Sequence, residues 1–570
     1  MRPLRPKRAT AQAVAACCMS LSPALTCTAA PPSPLAPRVV LPQGVIEGAR
    51  TNAGGKAVHA FLGIPYAAPP IGDMRWREPQ PLARWAGVRD AKNFGPRCMQ
   101  RPLGRMTFRS KEMSEDCLYL NVWAPATDAE ERVPVLIYFH GGGFVAGDGS
   151  EPRYDGANFA ARRVVTVTVN YRLGVFGFMA HPDARSESSS GGSGNYGLLD
   201  QHAALRWVRE NIARFGGDPT RITIAGESAG AVSVSAHMAS PLSRDLFTRA
   251  IGQSGGAFAP LHFWSRGRAE HFAGAFARRV GAPSLEALRT LDAEKLLLAT
   301  VTQNAEDEDP AFPFWPSIDG HFLRASPESI FRDGAQARVP LLLGTNSQES
   351  DFPEVLQSAS PTPENWRNAV KTLFGDWADE ALLHYPGNDP QQVMRSGTAL
   401  ASDLFVTHST WRWMDLHRKT GQMPVYCYYY VQPRPDAPPG GEPQRRPANG
   451  AAHAAEIEYA LNNLDRVPEE GWGQDDHRVS SIFSRYLVQF IRSGKPNWRP
   501  GLPSLISNPT ASAAKSMLPD WPVAHEQANG TACQVIGTSP YTLRDRLIDA
   551  RQLFLQRFVA HRIANRRPPQ

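Results

Sequence analysis

The sequence predicts an α/β fold with a large, mostly parallel central sheet flanked by helices. Continuous apolar runs at 133–139, 164–169 and 221–225 have the length and composition of strands buried on both faces. Between the second and third runs, apolar side chains over 205–215 recur at spacings of three, four and three residues, which is one face of a helix. Strands that alternate with helices in this way indicate a parallel sheet.

Shorter segments complete the predicted sheet. Residues 36–65 contain two apolar runs separated by turn residues, which predicts antiparallel strands at the front of the sheet. Further strands are predicted at Ala250–Gly252, Val339–Leu343 and Val425–Tyr430. The stretches 263–340 and 355–420 are mainly helical and lie between core strands, so we expect them to form helical cap insertions. This combination indicates an α/β-hydrolase architecture with a mixed sheet.

The composition fits one large folded domain. Of the 570 residues, 42% are hydrophobic and 20% are charged, which is enough for a sizeable core and unlike a disordered chain. Since no linker divides the sequence, we predict a single domain over 31–570. The formal net charge is +7, and four basic residues within positions 2–8 contribute to it. The other basic residues are scattered, so the sequence favours neither nucleic acid nor an anionic membrane as a partner.

Residues 1–30 predict export. Basic residues within 2–8 are followed by a moderately apolar stretch over 13–25 and by small residues near Ala30, the order found in secretory signal peptides. The apolar stretch is interrupted by serines and a proline, so a disordered extension is the alternative. We expect a secreted or periplasmic protein. No other run of about 18 apolar residues predicts a transmembrane helix.

The clearest chemical signal is Gly-Glu-Ser-Ala-Gly at 226–230, between an apolar strand and a helix pattern of small residues. A serine in this strand–turn–helix setting is a nucleophile elbow, in which the flanking glycines permit a sharp turn. The turn would hold the Ser228 hydroxyl at the carboxyl end of the strand, where the helix N-terminus favours developing negative charge. The motif predicts hydrolysis through an acyl-enzyme.

An elbow serine requires an orienting acid and a base, which follow it in that order in this fold. The 339–343 strand leads into Gly-Thr-Asn-Ser-Gln-Glu, which favours Glu349 as the acid, with Asp351 as the alternative. Among the histidines after Glu349, His453 follows the last long loop, 432–450, and precedes a predicted short helix. We predict that His453 is the general base and Glu349 its orienting partner. The alternative is an ordinary histidine on a surface loop.

The oxyanion hole has a signature of its own. Three consecutive glycines at 141–143 directly follow the 133–139 strand, and they let backbone N–H groups converge without obstruction by side chains. The N–H of Ala229, just after the nucleophile, is expected to complete the hole. His140 precedes the glycines on the strand side, so we interpret it as a supporting residue rather than the base.

Other chemistries have no matching motif. The sequence contains no His-Glu-x-x-His and no Cys-x-x-Cys, and it has neither a phosphate loop nor a dinucleotide fingerprint. We therefore predict an enzyme with no metal and no cofactor. The glycine-rich stretch at 191–194 lacks a strand-to-helix setting and is interpreted as a surface loop.

These motifs together strongly resemble the type-B carboxylesterase family, which includes cholinesterase-like and bacterial para-nitrobenzyl-esterase-like enzymes. The match runs from about residue 36 to about residue 560. The segments that carry it are 61–67, 114–122, 140–144, 170–174, 194–201 and 226–230. Glu-Asp-Cys-Leu-Tyr-Leu-Asn-Val at 115–122 and the Gly-Glu-Ser-Ala-Gly elbow are highly specific in combination.

The resemblance implies a role for each candidate residue. Glu349 and His453 match the family's acid and histidine, while Gly142, Gly143 and Ala229 match its oxyanion donors. Polar residues beside the triad are matched by Glu227 and Ser254. The family's buried structural ion pairs are matched by Arg75–Glu115 and Arg172–Asp200.

Four cysteines follow the predicted signal, which fits an exported protein. Cys98 and Cys117 flank an 18-residue segment that a disulfide would close as a loop, and the resemblance implies this bond. Two reduced thiols are the alternative. Cys427 lies in the aromatic 425–430 strand and is predicted to be a buried free thiol. No partner for Cys533 can be assigned from the sequence.

The predicted function is hydrolysis of small-molecule carboxylic esters. The 98–117 loop contains no tryptophan, so a cholinesterase-like choline site is not expected there. The alternatives are an amidase, a thioesterase or a polyester-, phenolic- or toxin-ester hydrolase on the same site, and a non-catalytic adhesion-type relative. We expect the acyl and alcohol pockets to be formed by 98–117, 304–320 and the helical cap. The sequence does not determine which ester enters them or which acyl and alcohol chains are preferred. We expect a monomer or a weak homo-oligomer.

Overall fold

The computed structural model describes residues 36–101, 103–104, 106–126, 131–301, 314–435, 450–497, 518–525 and 530–565. Its strands are β1 (Arg38–Leu41), β2 (Gly44–Glu47), β3 (Ala49–Ala53), β4 (Lys56–Pro65), β5 (Val88–Asp90), β6 (Arg97–Cys98), β7 (Met113–Ser114), β8 (Tyr119–Pro125), β9 (Val133–Phe139), β10 (Val165–Val169), β11 (Gly217–Glu227), β12 (Arg249–Gln253), β13 (Trp264–Ser265), β14 (Ser317–Ile318), β15 (Leu341–Asn346), β16 (Val425–Tyr430), β17 (Ala532–Ile536) and β18 (Tyr541–Arg544). The predicted signal at 1–30, residues 304–313 of the expected pocket and residues 436–449 of the loop before His453 lie outside this range.

The helices lie between these strands. They are α1 (Ala157–Ala160), α2 (Gly174–Phe178), α3 (Pro182–Glu187), α4 (Tyr196–Asn211), α5 (Ala229–Ala239), α6 (Arg266–Arg279), α7 (Leu285–Thr290), α8 (Ala293–Ala299), α9 (Pro327–Arg332), α10 (Pro353–Leu356), α11 (Pro363–Phe374), α12 (Ala378–His384), α13 (Pro390–Ser402), α14 (His408–Thr420), α15 (Ile457–Ala460), α16 (Gln474–Ser493) and α17 (Arg546–Asn565). A π-helical turn, Asp403–Thr407, joins α13 to α14. Short 3₁₀ turns lie at Gly72–Met74, Pro152–Tyr154, Ile212–Phe215, Gly375–Trp377, Leu464–Arg466 and Pro468–Glu470.

In the described residues, eleven strands form one mixed sheet in the order β18-β17-β16-β15-β12-β11-β9-β10-β8-β4-β3. The strands from β17 to β10 in this order are parallel, and the strands outside them pair antiparallel. A separate small sheet joins β1, β2 and β5. The parallel centre places the carboxyl ends of β9, β11, β12 and β15 at one edge, which is where ligands bind in open α/β sheets.

The central strands are buried on both faces, as their apolar sequences predict. Alternate residues of a strand point to opposite faces, so β9 contributes to two cores. Val135, Ile137 and Phe139 pack in one cluster with α5, and Leu136 and Tyr138 pack in a second cluster with α16. Burial of this extent on both faces explains why β9 shows no polar alternation.

The predicted α/β-hydrolase fold is confirmed. The runs at 133–139 and 425–430 coincide with β9 and β16, while the 221–225 run is the centre of the longer β11. The sequence analysis did not identify β17 or β18. The ion pair Arg172–Asp200 is buried with a 2.7 Å separation between Nη2 and Oδ1. In the described part of the chain, none of the helices combines the length and the hydrophobicity that crossing a membrane requires.

The prediction that Cys427 is a free thiol is wrong. Cys427 and Cys533 form a disulfide, with their Cα atoms 4.5 Å apart. The two residues stand opposite each other in the register of β16 and β17. This pairing joins positions 106 residues apart, and β17 has no clear strand pattern in the sequence, so the partner could not be identified locally.

Candidate active site

Ser228 lies in the sharp turn between β11 and α5. Its φ of 56° is in the left-handed region, which non-glycine residues adopt rarely and mostly at functional sites. The two flanking glycines explain how the turn is tolerated. A Cβ at Gly226 would lie 2.4 Å from the carbonyl carbon of Gly230, and a Cβ at Gly230 would lie 2.1 Å from the carbonyl oxygen of Phe139. Only glycine fits either position.

The structure brings Ser228, His453 and Glu349 together across more than two hundred residues of sequence. His453 Nε2 is 3.0 Å from Ser228 Oγ, and His453 Nδ1 is 2.7 Å from Glu349 Oε2. Both distances are within hydrogen-bond range. With Nδ1–H donating to the carboxylate, Nε2 is free to accept the serine proton, which is the tautomer that a general base requires.

Glu349 is fixed by further hydrogen bonds at the carboxyl end of β15. Its Oε1 accepts from the hydroxyl of Ser254 at 2.6 Å and from the backbone N–H of Asn346 at 2.6 Å. The carboxyl group is buried, so these bonds orient it toward the imidazole. Asp351, the alternative acid, lies elsewhere. Its Oδ1 accepts from the hydroxyl of Thr398 at 2.8 Å.

The glycines at 141–143 form a tight turn beside Ser228. A Cβ at Gly141 would lie 3.2 Å from the Ser228 Cβ, which places this backbone against the nucleophile elbow. Gly142 and Gly143 have φ values of 100° and 61°. A Cβ at Gly142 would lie only 2.2 Å from the carbonyl oxygen of Ala146. The chain therefore requires glycine here for both conformation and space.

The loop between Cys98 and Cys117 reaches this turn. The two cysteines form a disulfide with a Cα separation of 4.9 Å. Within the loop, the Cε atom of Met106 lies 3.2 Å from the position of a Cβ at Gly142. Met106 is therefore a side chain of this loop that borders the glycine turn, and no sequence motif marked it.

His140 is buried next to the glycines. Its ring stacks on Tyr171 with centroids 4.3 Å apart, and its Nδ1 lies 2.9 Å from the carbonyl oxygen of Gly141. Burial lowers the pKa of His140 to about 4, so the ring is neutral at physiological pH. A neutral ring packed between strand and turn fits a positioning role and not that of the base.

Three buried carboxyl groups surround the imidazole. Glu227 Oε1 lies 3.2 Å from His453 Nε2, close to the same atom that faces Ser228. Glu456 accepts from the side-chain amides of Asn346 at 2.7 Å and Gln253 at 3.2 Å. Burial raises the pKa of Glu227, while the charge of His453 opposes this rise. Burial and the charge of Glu227 raise the pKa of Glu456 to about 8.

The same carboxyl groups act on His453. Burial lowers its pKa, but the negative charge of Glu227 and the hydrogen bond to Glu349 outweigh this effect and raise the pKa to about 9. Imidazolium is thus strongly favoured in this site. A site that favours imidazolium stabilises the form that the base acquires when it takes a proton from serine.

One wall of the site comes from the π-helical turn. The ring of Phe405, in this turn, packs on His453 with centroids 4.8 Å apart. Asp403, which begins the turn, accepts from the hydroxyl of Tyr385 and the amide of Gln552 at 2.9 and 2.7 Å. Such turns occur frequently at functional sites.

A cavity of about 420 Å³ opens next to Phe405. Its lining is part apolar and part polar, with Ser350, Glu354, Val355, Ala401, Leu404 and Phe405. Its volume is in the range of sites for small organic ligands.

Some of these residues carried a signal that the sequence analysis did not use. Glu456 follows His453 by three positions, and this short spacing is a local signal for a second carboxyl group near the imidazole. The approach of Glu227 to His453 had no local signal, because Glu227 ends β11 and His453 lies more than two hundred residues further along the chain.

Comparison with known proteins settles the family. A family model described as the carboxylesterase family matches residues 35–536. The chain belongs to this carboxylesterase family. Among its relatives, the fumonisin B1 esterase of Sphingopyxis macrogoltabida is 37% identical over 474 residues, which are 80% of this chain and 81% of the relative. The para-nitrobenzyl esterase of Bacillus subtilis is 33% identical over 500 residues, 86% of this chain and 92% of the relative.

Solved structures agree with this assignment. A PNB esterase structure is similar to this carboxylesterase with a TM-score of 0.73 and 32% sequence identity, covering 91% of this chain and 99% of the other. The family and the esterase relatives identify the protein as a carboxylic ester hydrolase that acts on small-molecule substrates.

Proposed function

We propose that the protein hydrolyses carboxylic esters through an acyl-enzyme on Ser228, with His453 as general base and Glu349 as its orienting acid. The observation that carries this proposal is the continuous Ser228–His453–Glu349 hydrogen-bond chain, with distances of 3.0 and 2.7 Å. The nucleophile is weak as a free hydroxyl and needs an adjacent base, which the imidazole supplies.

The reaction follows from this geometry. Ser228 Oγ attacks the carbonyl carbon of the ester while His453 Nε2 takes the hydroxyl proton. The tetrahedral intermediate collapses, and His453 returns the proton to the leaving alkoxide, so that an alcohol departs. A water molecule then attacks the acyl-serine, again giving its proton to His453, and the acid leaves with Ser228 restored.

The negative oxygen of the intermediate needs donors. We assign this role to the backbone N–H groups of Gly142, Gly143 and Ala229. The glycine turn lies against the Ser228 elbow, and Ala229 is the first residue of α5, whose N-terminus adds a favourable dipole. His140 supports this arrangement by packing against the glycine turn. Ser254 supports it by holding Glu349 through a hydrogen bond.

We propose that the cavity beside Phe405 receives part of the ester. Its volume of about 420 Å³ and mixed lining suit a substrate larger than a simple acetate. One relative is named a fumonisin B1 esterase and another a para-nitrobenzyl esterase. A panel of esters that varies acyl and alcohol size, with fumonisin B1 and p-nitrobenzyl esters included, is the direct measure of preference.

The test of the mechanism is Ser228→Ala. We expect kcat for p-nitrophenyl butyrate to fall by about 10⁶-fold, with an unchanged circular dichroism spectrum, because the nucleophile and its base act as one unit. Ser233→Ala, one turn further along α5, is the matched control and retains activity. A fluorophosphonate probe should label Ser228 in the wild type alone. Substantial hydrolysis by Ser228→Ala would refute the mechanism.

We also propose that the protein is exported and that residues 31–570 act as one domain. Two disulfides support export, since such bonds persist in oxidising compartments. Cell fractionation with N-terminal sequencing of the purified protein tests this. Reduced cysteines in a cytoplasmic protein that retains its first thirty residues would contradict it.

A further inference from the structure

Arginines gather at the amino ends of the parallel strands, opposite the catalytic edge. The basal arginine cluster consists of Arg162, Arg163, Arg221, Arg249, Arg485 and Arg492. Arg163 precedes β10, Arg221 lies in β11 and Arg249 begins β12. Arg485 and Arg492 belong to α16. Arg221 lies in β11 seven residues before Ser228, which directly follows the strand, a separation of about 23 Å at the rise of a strand. The cluster is therefore remote from the triad.

Direct contacts join three members of the cluster, Arg162, Arg221 and Arg492. Arg221 Nη2 donates to the carbonyl oxygen of Arg492 at 3.1 Å, and Arg492 Nη2 donates to the carbonyl oxygen of Arg162 at 2.6 Å. Arg162 donates to Ser484 Oγ at 2.7 Å and to Asn462 Oδ1 at 2.9 Å. All of these acceptors are neutral. A guanidinium carries five N–H donors, so these bonds leave donors unused on each side chain.

The positive charge of the cluster exceeds what balances it. Within the described residues, the carboxylate that forms an ion pair with a member is Glu131, to Arg163. The carboxyl end of α16 adds a dipole equivalent to about −0.5 charge. Six guanidinium groups face these two compensating features, so the surface has a strong positive potential.

Mutual repulsion is evident in the pKa values. Burial and the charges of Arg485 and Arg492 lower the pKa of Arg162 to about 10. Burial, with the charges of Arg163 and Arg221, lowers the pKa of Arg492 as well. In the protein alone, the positive charges of these arginines repel one another. An anion bound among them would offset this repulsion.

Arg249 supplies an independent observation. Its Nε is buried and has no hydrogen-bond partner among the described residues. The atom lies 3.4 Å from the position of a Cβ at Gly494, the residue that ends α16 with a φ of 75°. A buried donor without an acceptor is destabilising, so an acceptor bound at this position would be favourable.

We propose that the basal arginine cluster is a binding site for phosphate-type oxyanions, separate from the esterase site. Guanidinium groups bind phosphate oxygens through paired, charge-assisted N–H donors, and several arginines with spare donors meet here. The same chemistry is offered by a free polyphosphate and by the headgroup of an anionic phospholipid. The site faces away from the triad, so its occupation anchors or stabilises the enzyme without blocking ester entry.

Binding is measured on the full chain with sodium pyrophosphate by calorimetry, at an ionic strength matched with sodium chloride. Co-sedimentation with phosphatidylglycerol vesicles, against phosphatidylcholine vesicles, tests the lipid source. The variant is Arg485→Gln/Arg492→Gln. The matched control is Arg478→Gln, an exposed arginine two turns earlier on α16. We expect the double variant to weaken binding at least about tenfold, the effect of losing charged hydrogen bonds, and the control to bind like the wild type.

The outcomes are distinct. Saturable pyrophosphate binding assigns the site to free phosphates, and binding to phosphatidylglycerol vesicles alone assigns it to lipid headgroups. No binding in either arm, or equal binding by the double variant, overturns the proposal. If circular dichroism shows that the double variant is unfolded, Arg485→Gln replaces it, because this side chain is exposed and makes no hydrogen bond to the described residues. Unchanged binding in that variant also overturns the proposal.

Discussion

The two edges of the central sheet concentrate charges of opposite sign in different ways. At the carboxyl edge, Glu227, Glu349 and Glu456 are buried around one imidazole. At the amino edge, the basal arginine cluster is only half-buried, and two of its members, Arg221 and Arg492, donate to backbone carbonyl groups. Buried like charges are costly and are kept where they shift the pKa of a reacting group. Half-exposed like charges cost less free energy than buried ones, and they leave N–H donors facing outward.

The comparison yields a rule for mutations. A change at the carboxyl edge should alter the reaction more than the stability of the fold. A change away from that edge should do the opposite.

The largest effect is expected for Glu349→Gln. An amide cannot stabilise imidazolium as a carboxylate does, and it permits the wrong tautomer of His453, so kcat should fall by about 10⁴-fold. The measurement is kcat for p-nitrophenyl butyrate, with thermal unfolding as the check on folding. Asp351→Asn, two residues further along, retains most activity. Equal losses in both variants would contradict the role of Glu349.

The second-largest effect on kcat is expected for Gly142→Ala. The added Cβ would lie 2.2 Å from the Ala146 carbonyl oxygen, so the turn must shift and its N–H groups move away from the intermediate. Loss of one oxyanion donor costs about 10²–10³ in kcat. Gly281→Ala is the control, because Gly281 has a φ of 72° and open space around its Cα. It carries the same backbone strain without the clash, and a similar loss of kcat there would refute the explanation.

Glu227→Gln should shift the pH dependence of kcat/KM. His453 acts as a base only when deprotonated, and the negative charge of Glu227 raises its pKa, so the activity of the wild type rises toward pH 9. Removing this charge lowers that pKa, which moves the acid limb of kcat/KM to lower pH and also lowers the plateau, because the imidazolium form is less stabilised.

The measurement is the kcat/KM profile from acid to alkaline pH. Glu456→Gln is the comparison, since Glu456 does not contact His453 and should shift the limb less. An acid limb that stays in place or moves to higher pH would show that Glu227 does not act through the charge of His453.

The smallest effect on catalysis is expected for Cys427→Ala/Cys533→Ala. This disulfide contacts neither Ser228 nor His453, so kcat at 25 °C should be unchanged. The free energy of unfolding should fall by about 4 kcal/mol, because the bond closes a long loop in the unfolded chain. Urea unfolding measures this fall. Alkylation of both thiols in the unreduced wild type would contradict the bond.

The parts of the site that local sequence determines were predictable. The elbow around Ser228 and the glycines at 141–143 are short motifs whose backbone geometry requires particular residues. The continuous apolar run of β9 likewise marks a strand buried on both faces. Each of these signals lies within a few neighbouring residues.

The remaining features depend on contacts between distant segments. The bond between Cys427 and Cys533 follows from the register of β16 and β17, and β17 was not identified. The approach of Glu227 to His453 and the hydrogen bonds of Glu456 join distant segments, because Glu227 ends β11 whereas His453 and Glu456 follow β16. Spacing along the chain carries no information about such distances.

The π-helical turn at Asp403–Thr407 accommodates an extra residue within an otherwise α-helical segment. Deleting one residue there would restore α geometry and rotate the side chains before the deletion by about 100° relative to α14. Phe405 would then leave the ring of His453, and the wall of the neighbouring cavity would change shape. We therefore expect a single-codon deletion to change the shape of the proposed ester cavity, which would be a short mutational route to a different range of esters.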